Sequence, residues 1–119
     1  MREVEKEMVE AVRNWTPRVL GNTEVCCAPF KGGYGCVMLF GNTIAYFDEG
    51  AEIITLRDGG YRSATTKSRL NALLNDTGYR IWQRKGEWHL YYYGQPRGLF
   101  ENDSQFYIGT GNDTDRTNP

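Results

Sequence analysis

Hydroxyl-bearing and basic side chains are concentrated in one stretch of the chain, residues 60–70. Leucines at helical spacing follow at once, so a helix is predicted over residues 66–74, with Thr65 or Thr66 as its N-cap. Backbone N–H groups at a helix start, hydroxyls and cations together suit a phosphate or a similar anion. The candidate anion- or nucleotide-binding residues are Arg62, Ser63, Thr65, Thr66, Lys67 and Arg69.

The charges at this predicted helix start oppose the helix dipole. Asp or Glu in the first turn would be stabilising, whereas Lys67 and Arg69 each cost about 0.3–1 kcal/mol there. A bound anion would offset that cost. The alternative is that these cations are solvated, or that they pair with carboxylates elsewhere, such as Asp58 or Glu52.

A second group of candidate residues lies on a predicted hairpin. Strands over residues 79–84 and 87–93 flank the turn Lys85-Gly86. The predicted cross-strand pairs are Arg84 with Glu87, Trp82 with His89, and Arg80 with Tyr91. Because alternate residues of a strand share a face, the opposite face holds the better core residues: Tyr79, Ile81, Gln83, Trp88, Leu90 and Tyr92.

The first face of this hairpin mixes aromatic rings with cations. Such a surface suits nucleobase stacking with phosphate contact, or the hot spot of a protein–protein interface. The alternative is that Trp82 and Tyr91 pack beneath the N-terminal helix, with the arginine stems at the rim. The candidate partner-binding residues are Arg80, Trp82, Arg84, His89, Tyr91 and Tyr93.

The sequence contains no recognisable catalytic set. Its one histidine, His89, has no cysteine near it in sequence, and Ser63 and Ser68 lack the Gly-x-Ser-x-Gly turn of activated serines. A single histidine also gives no set with zinc-ligand spacing. The three cysteines are a poor disulfide framework, and we expect reduced, mostly buried thiols at Cys26, Cys27 and Cys36. We therefore expect a non-enzymatic protein without metal or cofactor.

Length and charge narrow the function classes. A chain of 119 residues is expected to form a single modest core. The net charge of −1 argues against a strongly basic nucleic-acid binder and against an acidic DNA mimic, although a local patch would suffice for either. No apolar run of about 18 residues occurs and the N-terminus is charged, so no membrane association is expected and the cytoplasm is the default location.

The N-terminal segment predicts an amphipathic helix over residues 2–15, which Thr16-Pro17 ends. Its apolar stripe comprises Val4, Met8, Ala11, Val12 and Trp15. The carboxylates Glu3, Glu5, Glu7 and Glu10 lie off that stripe. Such a stripe covers a sheet, or alternatively docks onto a partner or a second copy of the chain.

The segment that follows predicts strands. One covers residues 23–30, where Pro29 would end it or confine it to an edge, and a glycine-rich loop over residues 31–35 follows. Strands over residues 36–40 and 43–47 flank the turn Gly41-Asn42, which would pair Leu39 with Ile44. Both faces of that hairpin would be apolar, so cover by helices on both sides, or a partner on one, is expected.

Together these elements predict an α+β fold, with a mostly antiparallel five- to seven-stranded sheet, an N-terminal amphipathic helix and one internal helix. Asn71 is expected to be partly buried and to bond a neighbouring strand, and a short strand is expected near residues 106–108. The predicted divisions are the helix over residues 1–17, the α+β core over 21–108 and a flexible tail over 109–119.

Four segments, residues 21–23, 39–45, 60–73 and 81–88, together resemble a widespread family of small phage and prophage proteins. Its members share a hairpin of the pattern Leu-x-Gly-Asn-x-Ile-Ala. They also share a segment of the pattern Gly-Trp/Tyr-x-Ser/Thr-x-Thr-Thr-Lys/Arg-x-Arg-Leu-Asn, in which Tyr61 of this chain stands where Trp is frequent. The resemblance spans residues 21–93, outside the N-terminal helix and the tail, and carries over no catalytic residues.

The resemblance implies a virus-encoded accessory protein in the cytoplasm of a bacterial host. Small phage proteins of this kind often block or sequester host components, including defence nucleases and their nucleotide signals. The leading hypothesis is a non-enzymatic inhibitor that binds a host protein, such as a CRISPR nuclease. One alternative is a protein that binds or sequesters a nucleotide or single-stranded nucleic acid. Another is a small virion or assembly component, which would self-associate, for instance as a homodimer.

The anion hypothesis predicts that a nucleotide stabilises the folded protein. A ligand that binds the native state alone raises the unfolding midpoint, so a thermal-shift screen against mono-, di- and cyclic nucleotides should show an increase. Added salt and the substitution Lys67→Glu should both weaken the binding, because cation–phosphate contacts would carry it. If no anion shifts the midpoint, the cations at the helix start are solvated or internally paired.

Overall fold

Nine antiparallel strands and two helices form the part of the chain that the computed structural model describes, residues 1–29 and 33–109. The elements are α1 (Glu3–Arg13), β1 (Arg18–Leu20), β2 (Thr23–Cys27), β3 (Gly35–Leu39), β4 (Asn42–Phe47), β5 (Ile53–Leu56), α2 (Ala64–Leu73), β6 (Tyr79–Arg84), β7 (Glu87–Tyr92), β8 (Gln95–Leu99) and β9 (Ser104–Tyr107). They confirm the α+β class with an N-terminal and an internal helix. Part of the predicted glycine-rich loop (residues 30–32) and most of the predicted tail (residues 110–119) lie outside the described residues.

The strands form two sheets where one sheet of five to seven strands was expected. The large sheet has the order β1-β2-β3-β4-β5-β9, and the small sheet has the order β6-β7-β8. The outer edge of β6 is occupied by a side chain of α2: Asn71 Nδ2 donates to the Ile81 carbonyl at 3.0 Å, and its Oδ1 accepts from the Ile81 N–H at 2.8 Å. The predicted bond from Asn71 to a neighbouring strand is thus confirmed, and it takes the place of a further strand.

One face of the large sheet carries the core. Val25, Val37, Ala45 and Leu56 lie opposite one another on four neighbouring strands, and all are buried. On this side α1 packs against β1, β2 and α2, with Met8 and Val12 buried. The stripe of α1 therefore covers the sheet, as in the first of the two predicted roles.

The opposite face of the large sheet is not covered by any described element. Cys26, Cys36 and Met38 are half-buried there, and Ile53 retains 42% of its accessible surface. The expectation of helices on both faces is therefore wrong, because α1, α2 and the small sheet all contribute to a single core. The other predicted option, a partner on this face, stays a prediction.

The first hairpin turns one residue earlier than predicted. Phe40 and Gly41 have φ angles of 52° and 79°, and a two-residue turn of this type needs positive φ at both positions. Leu39 consequently pairs with Asn42 rather than Ile44, and Val37 pairs with Ala45. Ile44 is an extra residue in β4, a bulge that leaves Ile44 and Ala45 both buried.

The second hairpin has the predicted register. Arg84 pairs with Glu87, Trp82 with His89, and Arg80 with Tyr91, across the turn Lys85-Gly86. Its core face is also as predicted for Ile81 and Trp88, which retain 2% and 1% of their surface. The sequence did not predict β8, which contains Pro96. Proline is tolerated there because β8 is an edge strand.

A buried ion pair joins α1 to α2 and β2. Arg69 Nη1 lies 2.9 Å from Glu5 Oε2, and each side chain retains 4% of its surface. Arg69 Nε also donates to Thr23 Oγ1 at 3.0 Å, and Ser68 Oγ donates to Glu5. The expectation that Glu5 lies off the buried stripe of its helix is wrong. Glu5 is buried, because its carboxylate pairs with the buried Arg69 guanidinium.

The carboxyl group of Glu5 is held in its ionised form. Burial alone would raise its pKa, but hydrogen bonds from Ser68, from the Arg2 backbone N–H and from Arg69 outweigh burial and lower the pKa below its ordinary value of 4.5. A folded-state pKa below the unfolded one stabilises the fold at pH values above the unfolded pKa. That contribution is lost as the pH falls through the folded-state pKa.

We predict that Glu5→Gln destabilises the protein by about 3–5 kcal/mol near neutral pH, because Arg69 would remain buried without a counter-charge. Glutamine keeps the oxygen that accepts from the Arg2 N–H, so the start of α1 is preserved. Urea unfolding measures the change, with Glu3→Gln on the exposed side of α1 as the control. Below about pH 4.5 the difference between wild type and Glu5→Gln should shrink. A difference that is independent of pH would contradict this assignment.

Candidate functional site

Most of the predicted partner-binding residues line one groove on the outer side of the small sheet. The groove has a volume of about 530 Å³. Its lining residues are Gly78, Arg80, Trp82, Arg84, Tyr91, Tyr93 and Gly94. Five of the six predicted residues are thus brought together, and we call this site the β6–β7 groove.

Strand alternation sets the order of side chains in the groove. Arg80, Trp82 and Arg84 occupy alternate positions of β6 and therefore share a face, while Ile81 between them is buried. Tyr91 lies opposite Arg80 on β7. Because the other face of the small sheet is needed for the core, these polar and aromatic side chains are turned outward.

The end of the groove depends on a close contact between Gly78 and Tyr93. A Cβ atom at Gly78 would lie 2.5 Å from the Tyr93 ring, so only glycine admits the ring in this position. The Tyr93 N–H donates to the Gly78 carbonyl at 2.8 Å. Tyr93 and Gly94 have φ angles of 47° and 81° and form the turn that leads into β8.

The aromatic rings of the groove are accessible. Trp82 retains 55% of its surface and Tyr93 retains 71%. The guanidinium carbon of Arg80 lies 5.7 Å from the centre of the Trp82 ring, which is a cation–π distance. The alternative prediction, that Trp82 packs beneath the N-terminal helix, is therefore wrong, because α1 lies on β1, β2 and α2.

His89 is the predicted partner-binding residue that does not line the groove. It is half-buried opposite Trp82, and its Nε2 atom lies 3.7 Å from Glu87 Oε1. Its closest charged contact is thus a carboxylate of its own strand.

The arginines of the small sheet differ in their ion pairing from the other described arginines. Five of the six described arginines outside the small sheet form ion pairs, namely Arg13, Arg18, Arg57, Arg62 and Arg69. Within the described part of the chain, no carboxylate forms an ion pair with Arg80, Arg84 or Arg97. The small sheet therefore presents cations that no carboxylate of the described residues pairs with.

The hydroxyls of the predicted anion site line a separate cleft of about 410 Å³ at the start of α2. Ser63, Thr65 and Thr66 are among its lining residues. Ser63 is the N-cap, since its Oγ accepts from the Thr66 N–H at 3.1 Å; the prediction of Thr65 or Thr66 as the cap is wrong. The helix begins at residue 64, two residues earlier than expected, because the alanine there has a high helix propensity.

The cations of the predicted anion site do not converge on this cleft. Arg62 Nε bonds Asp58 at 3.0 Å, and its guanidinium lies over the Trp88 and Phe100 rings. Lys67 Nζ donates to Gln83 Oε1 at 3.3 Å, and Arg69 is the buried partner of Glu5. The alternative expectation for Lys67 and Arg69, pairing with a carboxylate elsewhere, is thus met for Arg69, whose partner is Glu5 rather than Asp58 or Glu52. Anion binding by the hydroxyls and Lys67 stays a prediction.

A carboxylate lines the same cleft. Burial would raise the pKa of Asp58, but hydrogen bonds from Arg62, the Gly60 N–H and Asn102 lower it below its ordinary value of 3.8. Asp58 is therefore ionised near neutral pH, and its charge is shared with Arg62 rather than presented to a ligand.

The three cysteines are free and half-buried rather than mostly buried. Cys26 and Cys36 lie opposite each other on β2 and β3. Burial and the neighbouring Glu24 carboxylate raise the pKa of Cys26 to about 11, and burial also raises the pKa of Cys27 and Cys36. Since the thiolate is the nucleophilic form, these side chains are weakly reactive near neutral pH.

The described residues, 1–29 and 33–109, hold no group of three or more histidine, cysteine, aspartate or glutamate side chains placed to bind a metal ion. None of their helices combines the length and apolar character needed to cross a membrane.

Sequence reasoning missed two residues of the groove, Gly78 and Gly94. The available signal was their position at the two ends of a tyrosine-rich hairpin, where positive φ angles of 88° and 81° place glycine. It also missed that Thr23 and Asn22 bond Arg69, which no local pattern indicates because they lie far away in sequence.

A comparison with protein families assigns the chain to a class, phage proteins, over residues 1–112. Because that range exceeds half of the chain, the protein belongs to the Kyanoviridae Gp96 protein family. The range includes α1, which the resemblance found in the sequence leaves outside. No curated protein and no solved structure matched the chain.

We predict that Gly78→Ala destabilises the protein more than Gly94→Ala. Both place alanine at a positive φ, at a cost of about 1–2 kcal/mol, but only the first drives a methyl group into the Tyr93 ring. Urea unfolding of both variants measures the difference. In a Tyr93→Ala background the excess cost of Gly78→Ala should fall to within about 0.5 kcal/mol of zero. An excess that persists without the ring would show that Gly78 acts through another contact.

Proposed function

We propose that this phage protein is a non-enzymatic accessory protein that binds a host bacterial protein in the host cytoplasm and inhibits it, as a counter-defence factor. A defence nuclease of the CRISPR type is the class of target that this role implies. One observation carries the proposal: the β6–β7 groove gathers exposed aromatic rings on one side of the small sheet with Arg80 and Arg84, which form no ion pair within the described part of the chain.

The composition of the groove suits a protein hot spot. Tryptophan, tyrosine and arginine are the residue types that dominate measured interface energies. Burying one large aromatic side chain contributes about 1.5–3 kcal/mol. Trp82 and Tyr93 are accessible enough for a partner to bury much of their surface. The position of Trp82 on β6, and the contact of Tyr93 with Gly78, limit the entropy that is lost when these rings are ordered at an interface.

The helix α1 offers less to a partner. Its apolar residues Met8 and Val12 are already buried in the fold, and Glu5 is held by Arg69. The groove is therefore the better-supported of the two predicted contact surfaces.

We predict that Trp82→Ala/Tyr91→Ala abolishes binding of the host target. Wild type and variant would be used to capture proteins from a bacterial lysate, with Tyr61→Ala as the matched control. Tyr61 is also an exposed aromatic, retaining 74% of its surface, but lies at the other cleft. The captured protein would then be purified, titrated and tested for inhibition of its activity. Equal capture and inhibition by wild type and Trp82→Ala/Tyr91→Ala would contradict the assignment of the groove.

A nucleotide or a single strand of nucleic acid is the second candidate ligand. Aromatic rings next to arginines also stack nucleobases and contact phosphates, and this supports the groove rather than the start of α2 as the site. The nucleotide screen separates the two sites: loss of binding on Trp82→Ala assigns it to the groove, and loss on Lys67→Glu assigns it to the helix start.

A further inference from the structure

The β6–β7 groove has a charge that selects among partners. Between Tyr79 and Leu99 the chain has four cationic side chains and one carboxylate, although the whole chain has a net charge of −1. That carboxylate, Glu87, has its ion-pair contact with His89. Arg80 and Arg84 lie in the groove itself and are left for a partner's negative charges.

The spacing of these groups is that of an extended chain. Arg80, Trp82 and Arg84 occupy every second position of β6. Their Cα atoms are therefore about 6.6 Å apart between neighbours, and the Cα atoms of the two arginines are about 13 Å apart. An extended segment of another protein has the same two-residue repeat. A segment in which an apolar residue is flanked, two positions away on each side, by carboxylates would place its acids at the arginines and its apolar side chain over Trp82.

We propose that the host protein is bound through an extended acidic segment of this pattern, whose two carboxylates pair with Arg80 and Arg84 while its central apolar side chain packs on Trp82 and Tyr91. This inference rests on the proposed function and specifies the partner's chemistry. An arginine guanidinium can donate two parallel hydrogen bonds to one carboxylate, which makes the contact geometrically specific as well as strong.

A protein segment fits this surface better than a nucleic acid. Nucleic-acid binding draws its affinity from many phosphate contacts. The chain as a whole has a net charge of −1, which does not favour a long polyanion. A short acidic segment would contact only the small sheet, where the local potential is positive. The groove volume, about 530 Å³, is also that of a pocket for a few side chains rather than a long track.

Three labelled probes test the proposal by fluorescence anisotropy with the whole protein. One is a short peptide whose Phe is flanked, two residues away on each side, by Glu; the second has Gln in place of each Glu; the third is a thymidine oligonucleotide. The acidic peptide should bind, and the Gln peptide should bind at least about tenfold more weakly. Binding of the acidic peptide should weaken as salt is added. Failure of the acidic peptide to bind, or tighter binding of the oligonucleotide, overturns the proposal.

Variants locate the contacts. Arg80→Gln and Arg84→Gln should each weaken the acidic peptide about tenfold, and Trp82→Ala should weaken both peptides. Arg57→Gln is the matched control, because Arg57 directly follows β5 of the large sheet, is half-buried and is paired with Asp103. Urea unfolding would establish that every variant is folded. An equal loss on Arg57→Gln and Arg80→Gln would overturn the proposal, because binding would then follow total charge rather than the groove.

Capture of the host target separates this inference from the function on which it rests. If Trp82→Ala/Tyr91→Ala loses the target while Arg80→Gln/Arg84→Gln keeps it, the groove is the binding site and the acidic segment is wrong. If neither double variant loses the target, the function assigned to the groove fails. Loss of the target by both, together with selective binding of the acidic peptide, supports both.

Discussion

The buried pair of Glu5 and Arg69 is the interaction on which the rest of the structure depends. It is the point where α1, α2 and β2 meet, because Arg69 also bonds Thr23. A guanidinium in a protein interior is tolerated only with a counter-charge and satisfied hydrogen bonds, and this one has both. The pair therefore fixes how α1 lies on the large sheet. Because α2 begins at Ala64, Arg69 lies beyond the first turn of the helix, where its charge is balanced by Glu5 and opposes the helix dipole little.

The position of α2 in turn fixes the small sheet. Asn71 satisfies the edge of β6, and Tyr79 of β6 packs edge-on against Phe106 of β9, with ring centres 5.2 Å apart. Ile81 and Trp88 are buried in the shared core. Since strand residues alternate between two faces, burial of one face directs the other away from the core, and Trp82 on that other face is exposed. The β6–β7 groove is thus a consequence of core packing, and four of its side chains, Arg80, Trp82, Arg84 and Tyr91, are presented on strands.

The pairing of the arginines distinguishes the β6–β7 groove from the rest of the surface. Outside the small sheet, five of the six described arginines are paired with carboxylates of the same chain, as Arg62 is with Asp58. Among the described residues, no carboxylate forms an ion pair with Arg80 or Arg84 of the small sheet. An unpaired arginine beside an accessible tryptophan contributes little to folding, since surface charges stabilise weakly, but it is well suited to a partner. Membership of a phage protein family sets the context in which a small protein with such a surface acts.

The sequence by itself determined the α+β class, the two helices, the register of the second hairpin and the face of it that carries Arg80, Trp82 and Arg84. These features follow from local periodicity and turn residues, which act over a few positions. Tertiary structure decided what depends on distant partners. It buried Arg69 against Glu5 although the sequence grouped Arg69 with an anion site, because ion pairing between residues 64 positions apart leaves no local pattern. It also shifted the first hairpin, where the bulge at Ile44 lets two adjacent apolar side chains reach one core, and it divided the strands into two sheets, because a side chain of α2 occupies the edge of β6.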